Sequence, residues 1–298
     1  VLRALGLGDF LTAVPALRAL ADAFPDHRRV LAAPAAIEPL ARLSATVDEV
    51  ADTPPLAPLD PSLHGADVAV NLHGRGPQST QLLKATQPRR LIAFGHGSEW
   101  VAGEHEVRRW CRLLRENGVP ADPNRLDLPL PPSAGLDGVT VIHPGAASGA
   151  RRWPAQRWAA VARHEVRQGR AVVVTGGPDE RRLAAEVAEG AGLPSHAVLA
   201  GRTDLLGLAS VVAHAGLVLC GDTGVAHLAT AFGTPSVVLF GPVPPTEWGP
   251  PTDRPQHVAL WAGRRGDPHA TEPDAGLLET SVADVVQARP ITSTMRST

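Results

Sequence analysis

The residues best suited to chemistry sit where apolar runs give way to small polar turns. The clearest stretch is Leu219-Cys220-Gly221-Asp222-Thr223-Gly224-Val225-Ala226-His227-Leu228-Ala229. Residues 216–220 read as a buried strand, 221–224 as a tight turn, and 225–232 as a small-residue helix. Such a junction aims backbone N–H groups and the positive end of a helix at one spot beyond the sheet, where a phosphate or diphosphate would sit. His227 falls one helical turn past Thr223, either against that ligand or packed inside. Arg151-Arg152 stand just before Trp153-Pro154, which opens a helix. Guanidinium groups there can neutralise a diphosphate, or simply form a surface pair in an Arg-rich chain. Glu180 lies in the first turn of the helix after Thr175-Gly176-Gly177, where an acid meets the dipole favourably and can accept hydrogen bonds from ribose hydroxyls. In the first half Asp9 follows Gly6-Leu7-Gly8. It is either a helix N-cap or a carboxylate at the carboxyl edge of the first strand, where open α/β sheets bind ligands. His73 and Arg75 line a cleft or a solvated turn, and His105 with Glu106 either faces a second substrate or caps a helix.

The elements that must position these groups alternate along the whole chain. Strands are expected at 1–5, 29–33, 47–50, 66–72 and 90–94, with helices at 10–24, 35–43, 79–85 and 104–117. Leu11, Val14, Leu17, Leu20 and Ala21 give the first helix an apolar stripe, as Val107, Trp110, Cys111 and Leu114 do for the fourth. Residues 122–138 hold Pro123, Pro129, Pro131 and Pro132 with little periodicity, and read as a linker. The pattern then restarts, with strands at 139–143, 171–175, 197–199, 217–220 and 236–240. Helices fall between them at 154–168, 179–190, 205–215 and 225–232. Residues 241–255 turn loop-like and 277–288 look like a last helix. The reading is α/β, with a first Rossmann-like domain over 1–130 and a second over 131–275. A C-terminal helix and tail over 276–298 is expected to pack back on the first domain.

Bulk properties narrow the classes. With 28 Lys+Arg against 30 Asp+Glu, the charge gives no reason to expect nucleic-acid binding. Two cysteines, one ending a buried strand, make a disulfide framework or a Cys-based zinc site unexpected. No apolar run reaches membrane-spanning length and no signal peptide opens the chain. A cytoplasmic protein is expected, with room for peripheral association at the inner face of a membrane. Val1-Leu2-Arg3 begins as if already within a strand, which leaves room for residues upstream. Gly6-x-Gly8 looks like the start of a dinucleotide fingerprint, but Leu11 stands at the third glycine, which argues against an oxidoreductase.

Taken in order, these motifs resemble those of glycosyltransferase family 9, the ADP-heptose:lipopolysaccharide heptosyltransferases. The resemblance is carried by Gly6-Leu7-Gly8-Asp9 through Leu17, His143-Pro144-Gly145, Arg151-Arg152-Trp153-Pro154, Thr175-Gly176-Gly177-Pro178-Asp179-Glu180 and Gly221 through Ala229. It spans residues 1 to about 260. It implies a GT-B fold, two Rossmann-like parallel α/β domains facing across a cleft, the first for the acceptor and the second for the nucleotide sugar. By this similarity Asp9 would be the general base of an inverting transfer. Arg151 would stand at the family's basic, usually Lys, diphosphate position, with Arg152 beside it. Glu180 and Gly176 would hold the adenosine ribose side; Asp222, Thr223, Gly224 and Val225 would meet diphosphate and sugar, with His227 close by. His73, Arg75 and His105 are the acceptor-side candidates. The implied partners are an ADP-sugar donor and a glycan or glycolipid acceptor, with no cofactor. No Asp-x-Asp pair stands ready for a divalent ion, which fits metal-independent transfer. A sugar-nucleotide epimerase and a non-catalytic nucleotide-sugar-binding protein are the alternatives.

Overall fold

The computed structural model describes residues 1–288, 290 and 291. The chain divides into two compact units, Val1–Pro129 and Leu130–Thr298. In the first, α1 (Leu7–Ala23), β1 (Val30–Ala33), α2 (Glu38–Ser44), β2 (Glu49–Asp52), β3 (Val68–Val70), α3 (Gln78–Ala85), β4 (Arg90–Ile92) and α4 (Glu106–Glu116) follow in order. β1 pairs with β2, and β3 with β4, both in parallel. The strand expected at 1–5 shrinks to a single bridging residue, Leu2, paired with Ala32 on one side and Asn71 on the other. The two ribbons thereby join in the order β2-β1-Leu2-β3-β4. Extended pairing stops there because the Leu5 amide turns back to donate to the Arg3 carbonyl at 2.9 Å. α1 then starts at Leu7 rather than at 10, with Gly6 in extended conformation as its N-cap. Asp9 is therefore inside the first turn, not the cap. α1 packs on α4, whose Trp110 is fully buried against Phe94 and Trp100.

The second unit runs β5 (Thr140–His143), α5 (Ala155–Arg167), β6 (Val172–Val174), α6 (Arg181–Ala191), α7 (Leu205–Ala213), β7 (Leu217–Gly221), α8 (Gly224–Phe232), β8 (Ser236–Phe240), α9 (Pro245–Trp248), β9 (His257–Trp261), α10 (Ala275–Glu279) and α11 (Val282–Gln287). Its sheet is parallel throughout in the order β6-β5-β7-β8-β9. Val198 adds a bridge to Val174 outside β6. In chain order this is the 3-2-1-4-5-6 arrangement of a dinucleotide-type fold, with its switch point between β5 and β7. The buried strands carry runs of Val, Ile and Leu, as a sheet covered on both faces requires. β9 is the element that periodicity does not mark. It is a five-residue edge strand, only part-buried over most of its length, between a Pro-rich loop and a Gly/Arg turn.

The single helix expected at 277–288 is broken into α10 and α11, because Ser281 caps α11 by accepting from the Asp284 amide at 3.2 Å. Leu277 and Val285 join the core of this unit with Trp153 and Trp158, and the Trp153 indole N–H donates to the Thr280 carbonyl at 3.1 Å. As far as it is described, the tail contributes to the core of the second unit. Residues 289 and 292–298 lie outside the described residues. Among the described residues, no helix is long and apolar enough to cross a membrane.

Candidate functional site

In the second unit the polar groups gather at the carboxyl ends of three neighbouring strands, β6, β5 and β7, around the switch point. After β5 the chain forms a short 3-10 turn over Gly149–Arg151. That turn is held by the Ala150 amide donating to the Ala270 carbonyl at 2.9 Å and by the Ala150 carbonyl accepting from Asp274. After β7 only Asp222 and Thr223 separate strand from helix, since Gly221 ends β7 and Gly224 begins α8. Gly221 lets the chains pass closely: a Cβ there would lie 3.1 Å from the Arg151 carbonyl oxygen, tighter than most such contacts. The two loops therefore touch. Arg151 Nη1 donates to the Asp222 carbonyl at 3.3 Å and lies 3.7 Å from Asp222 Oδ2. Thr223 Oγ1 caps α8 by accepting from the Val225 amide at 3.3 Å. A half-buried guanidinium and a helix N-terminus are thus brought to one corner, the arrangement that stabilises a diphosphate.

Asp222 is the uncomfortable member of this corner. Its residue is 6% exposed, and its carboxyl is pushed up to about 6, by burial first, with Arg151 opposing. In the unfolded chain the same acid titrates near ~4. Between those values the folded protein binds the proton more tightly, so stability falls as pH rises from about 4 to 6 and stays reduced above. Asp222→Asn is expected to stabilise the fold by about 1–2 kcal/mol at pH 8, after allowing for the weakened Arg151 pairing. Melting curves of both proteins at pH 8 and pH 4 check this. A gain that is equal at both pH values sinks the explanation.

Glu180 stands one strand over, at the end of the short turn that follows β6. Its Oε2 accepts from the Gly177 amide at 2.8 Å and is 3.9 Å from His143 Nε2. His143 is fixed from its other nitrogen by Thr175 Oγ1 at 3.0 Å, and burial holds its imidazole below the usual range, with Glu180 pulling the other way. The carboxylate lies directly over the backbone of Gly145, where an added Cβ would fall 1.9 Å from Oε1. Gly176 forms the floor of the same turn, 3.1 Å from the Glu180 Cβ by the same measure.

The first unit presents a different cluster. Arg3 is 1% exposed. Its Nη2 reaches Asp9 Oδ1 at 3.3 Å and Glu106 Oε1 at 3.0 Å. Its Nε donates to the Asp9 carbonyl at 2.9 Å, its Nη1 donates to the Leu72 carbonyl, and the guanidinium lies over the Trp110 ring at 4.8 Å. Asp9 itself keeps 29% of its side chain exposed. Burial raises its pKa, Arg3 lowers it and Glu106 raises it again. A carboxylate at a strand's carboxyl edge, raised by burial and still open on one side, can accept a proton. Arg3 and the inward turn of Glu106 are the parts that sequence reasoning missed.

Arg152 Nε donates to the Ala146 carbonyl of its own loop at 2.9 Å. The Val225 side chain is in the core, so only its backbone belongs to the turn. His227 packs edge-on to Trp248 at 6.0 Å between centroids. His73 is half-buried beside the Arg3 charge, with burial the main cause that lowers its pKa. Arg75 is exposed, and His105 is the N-cap of α4, its Nδ1 accepting from the Val107 amide at 3.3 Å. The structure thus joins Arg151 with Asp222–Gly224, and Glu180 with Gly176. Among the described residues, no hydrogen bond or ion pair joins the exposed Arg75 to Asp9. Cavities of about 370 Å³ and 630 Å³ open at the amino ends of strands, near Val30 and Val68 and near Pro235 and Gln256, away from all these residues. Among the described residues, no group of three or more His, Cys, Asp or Glu is placed to hold a metal ion.

The model for glycosyltransferase family 9 (heptosyltransferase) matches residues 96–274. Lipopolysaccharide heptosyltransferase 3 of Escherichia coli is 33% identical over 154 residues, covering 50% of this chain and 45% of that protein. Lipopolysaccharide heptosyltransferase 1 of Pseudomonas aeruginosa is 33% identical over 158 residues, covering 48% and 41%. The chain spans less than half the length of these curated relatives. The E. coli ADP-heptose LPS heptosyltransferase II structure superposes with a TM-score of 0.74 over 96% of this chain and 95% of that one, at 18% identity. The fold is therefore the GT-B α/β fold of those structures.

Proposed function

Because the chain belongs to glycosyltransferase family 9, the heptosyltransferases, we propose that it is an inverting, metal-independent glycosyltransferase moving a heptose from ADP-heptose to a hydroxyl of a glycan or glycolipid acceptor. The observation that carries this reading is the convergence of Arg151 and the N-terminus of α8 at one switch point, with Glu180 on the adjoining strand end. Arg151 and the α8 amides take the diphosphate, and Glu180 accepts from the ribose hydroxyls, with Gly176 keeping the turn beneath it open. Asp222 and Thr223 meet the sugar, with His227 close behind them. In the transfer, Asp9 takes the proton of the acceptor hydroxyl as its oxygen bonds to the anomeric carbon. The bond from that carbon to the phosphate oxygen breaks, and its electron pair leaves on ADP. A cation and helix amides already aimed at the departing diphosphate supply the charge stabilisation that metal ions supply elsewhere. By the same reading the reaction runs in the cytoplasm, and a glycolipid acceptor ties the enzyme peripherally to the inner face of the membrane.

Melting the protein with ADP-, UDP- and GDP-sugars tests the donor. ADP-heptose at 100 times its dissociation constant should stabilise the fold by about 2.7 kcal/mol. Stabilisation by uridine or guanosine nucleotides alone would overturn the assignment. Transfer that stops in a metal chelator, and returns with a divalent ion, would overturn metal independence.

A further inference from the structure

Arg3 lies between two acids that are not equivalent. Glu106 is 4% exposed and both of its oxygens are occupied. Oε1 accepts from Arg3 and from the Trp110 indole at 2.9 Å, and Oε2 is paired with Arg109. Asp9 is the more exposed acid and has the longer contact with Arg3. The charge of Arg3 is thus partly offset by a carboxylate that sees almost no solvent and is shared with Arg109, and its remaining donors are fixed on the Leu72 and Asp9 carbonyls. An unmatched guanidinium beside an acid stabilises the carboxylate and weakens it as a base. Apart from Arg3 and Glu106, Asp9 meets the Thr12 hydroxyl, which donates to the Asp9 carbonyl at 3.0 Å and accepts from Arg3 at 3.3 Å, and the Gly6 backbone; His73 stands near Arg3, which together with burial lowers its pKa. Arg109 stands on the far side of Glu106.

We propose that Glu106 is a positioning residue for Asp9: it anchors Arg3 and offsets part of its charge, so that Arg3 orients the Asp9 carboxylate while suppressing less of its capacity to take a proton. This rests on the reading of Asp9 as the base. Glu106 lies 103 residues from Arg3 in sequence, on the first turn of α4, and touches Asp9 only through that guanidinium. Its effect is electrostatic, which separates it from a group that merely holds α4 in place.

The test follows the Asp9 carboxyl directly, by NMR titration of aspartate-labelled protein, with Asp9→Asn to assign the signal. Glu106→Gln should lower the Asp9 midpoint by about one pH unit, and the acid limb of kcat/KM should move down with it while the plateau kcat falls. Glu106→Asp keeps the charge and should leave the midpoint near its native value, although both variants lose packing. Equal, unmoved midpoints in the two variants would overturn the proposal and leave Glu106 a structural residue. Arg3→Met carries the opposite sign and serves if Glu106→Gln does not fold: the Asp9 midpoint should rise, and a fall or no change would overturn the coupling. A shifted midpoint together with a fully active Asp9→Asn enzyme would instead overturn the base reading alone.

Discussion

Replacing Asp9 with Asn is expected to lower kcat by about 10²–10⁴-fold, with donor binding unchanged in the same melting assay. Asn has the shape of Asp and can still accept from Arg3, but it cannot take the proton of an acceptor hydroxyl. The native enzyme should also slow as pH falls through the Asp9 midpoint, which burial places above the usual carboxylate range. A variant that transfers at the native rate would leave a binding protein or a different base as the better account.

The second large effect is expected at Arg151. Arg151→Ala should weaken donor binding and lower kcat together, by about 10²–10³-fold in kcat/KM, the usual loss for a group aimed at developing charge. Arg151 is also the group that opposes the burial of Asp222, so its removal leaves that carboxyl still harder to ionise. Arg151→Lys restores charge but not the planar fork, and should recover part of the loss. Measured with donor analogues, an Ala variant whose KM and kcat both match the native enzyme would remove Arg151 from the site.

The proposed donor half is legible in the sequence because its parts are local. Each of Arg151, Glu180 and the 221–224 turn sits within a few residues of a strand end and a helix start, and parallel sheets place such ends together. The proposed acid–base half is less so. Asp9 reads as either an N-cap or an edge carboxylate, and only the Leu5–Arg3 turn shows the helix starting ahead of it. Arg3 reads as one polar residue in a short strand, with nothing near it in sequence to show that it is buried. Whether an Arg or Glu points inward depends on a partner that sequence periodicity cannot supply, here one on α4. β9 escaped for a related reason: an edge strand of mixed burial lacks the apolar run by which the central strands announce themselves.

The crowding of Gly145 by Glu180 reaches beyond catalysis. A side chain at 145 would meet the Glu180 carboxylate where it now stands, and that carboxylate, the free end of a flexible side chain, would swing aside by giving up the Gly177 amide. In the proposed donor site the same swing withdraws the ribose contact, so a change at 145 tunes nucleotide preference through Glu180 without touching the ligand itself.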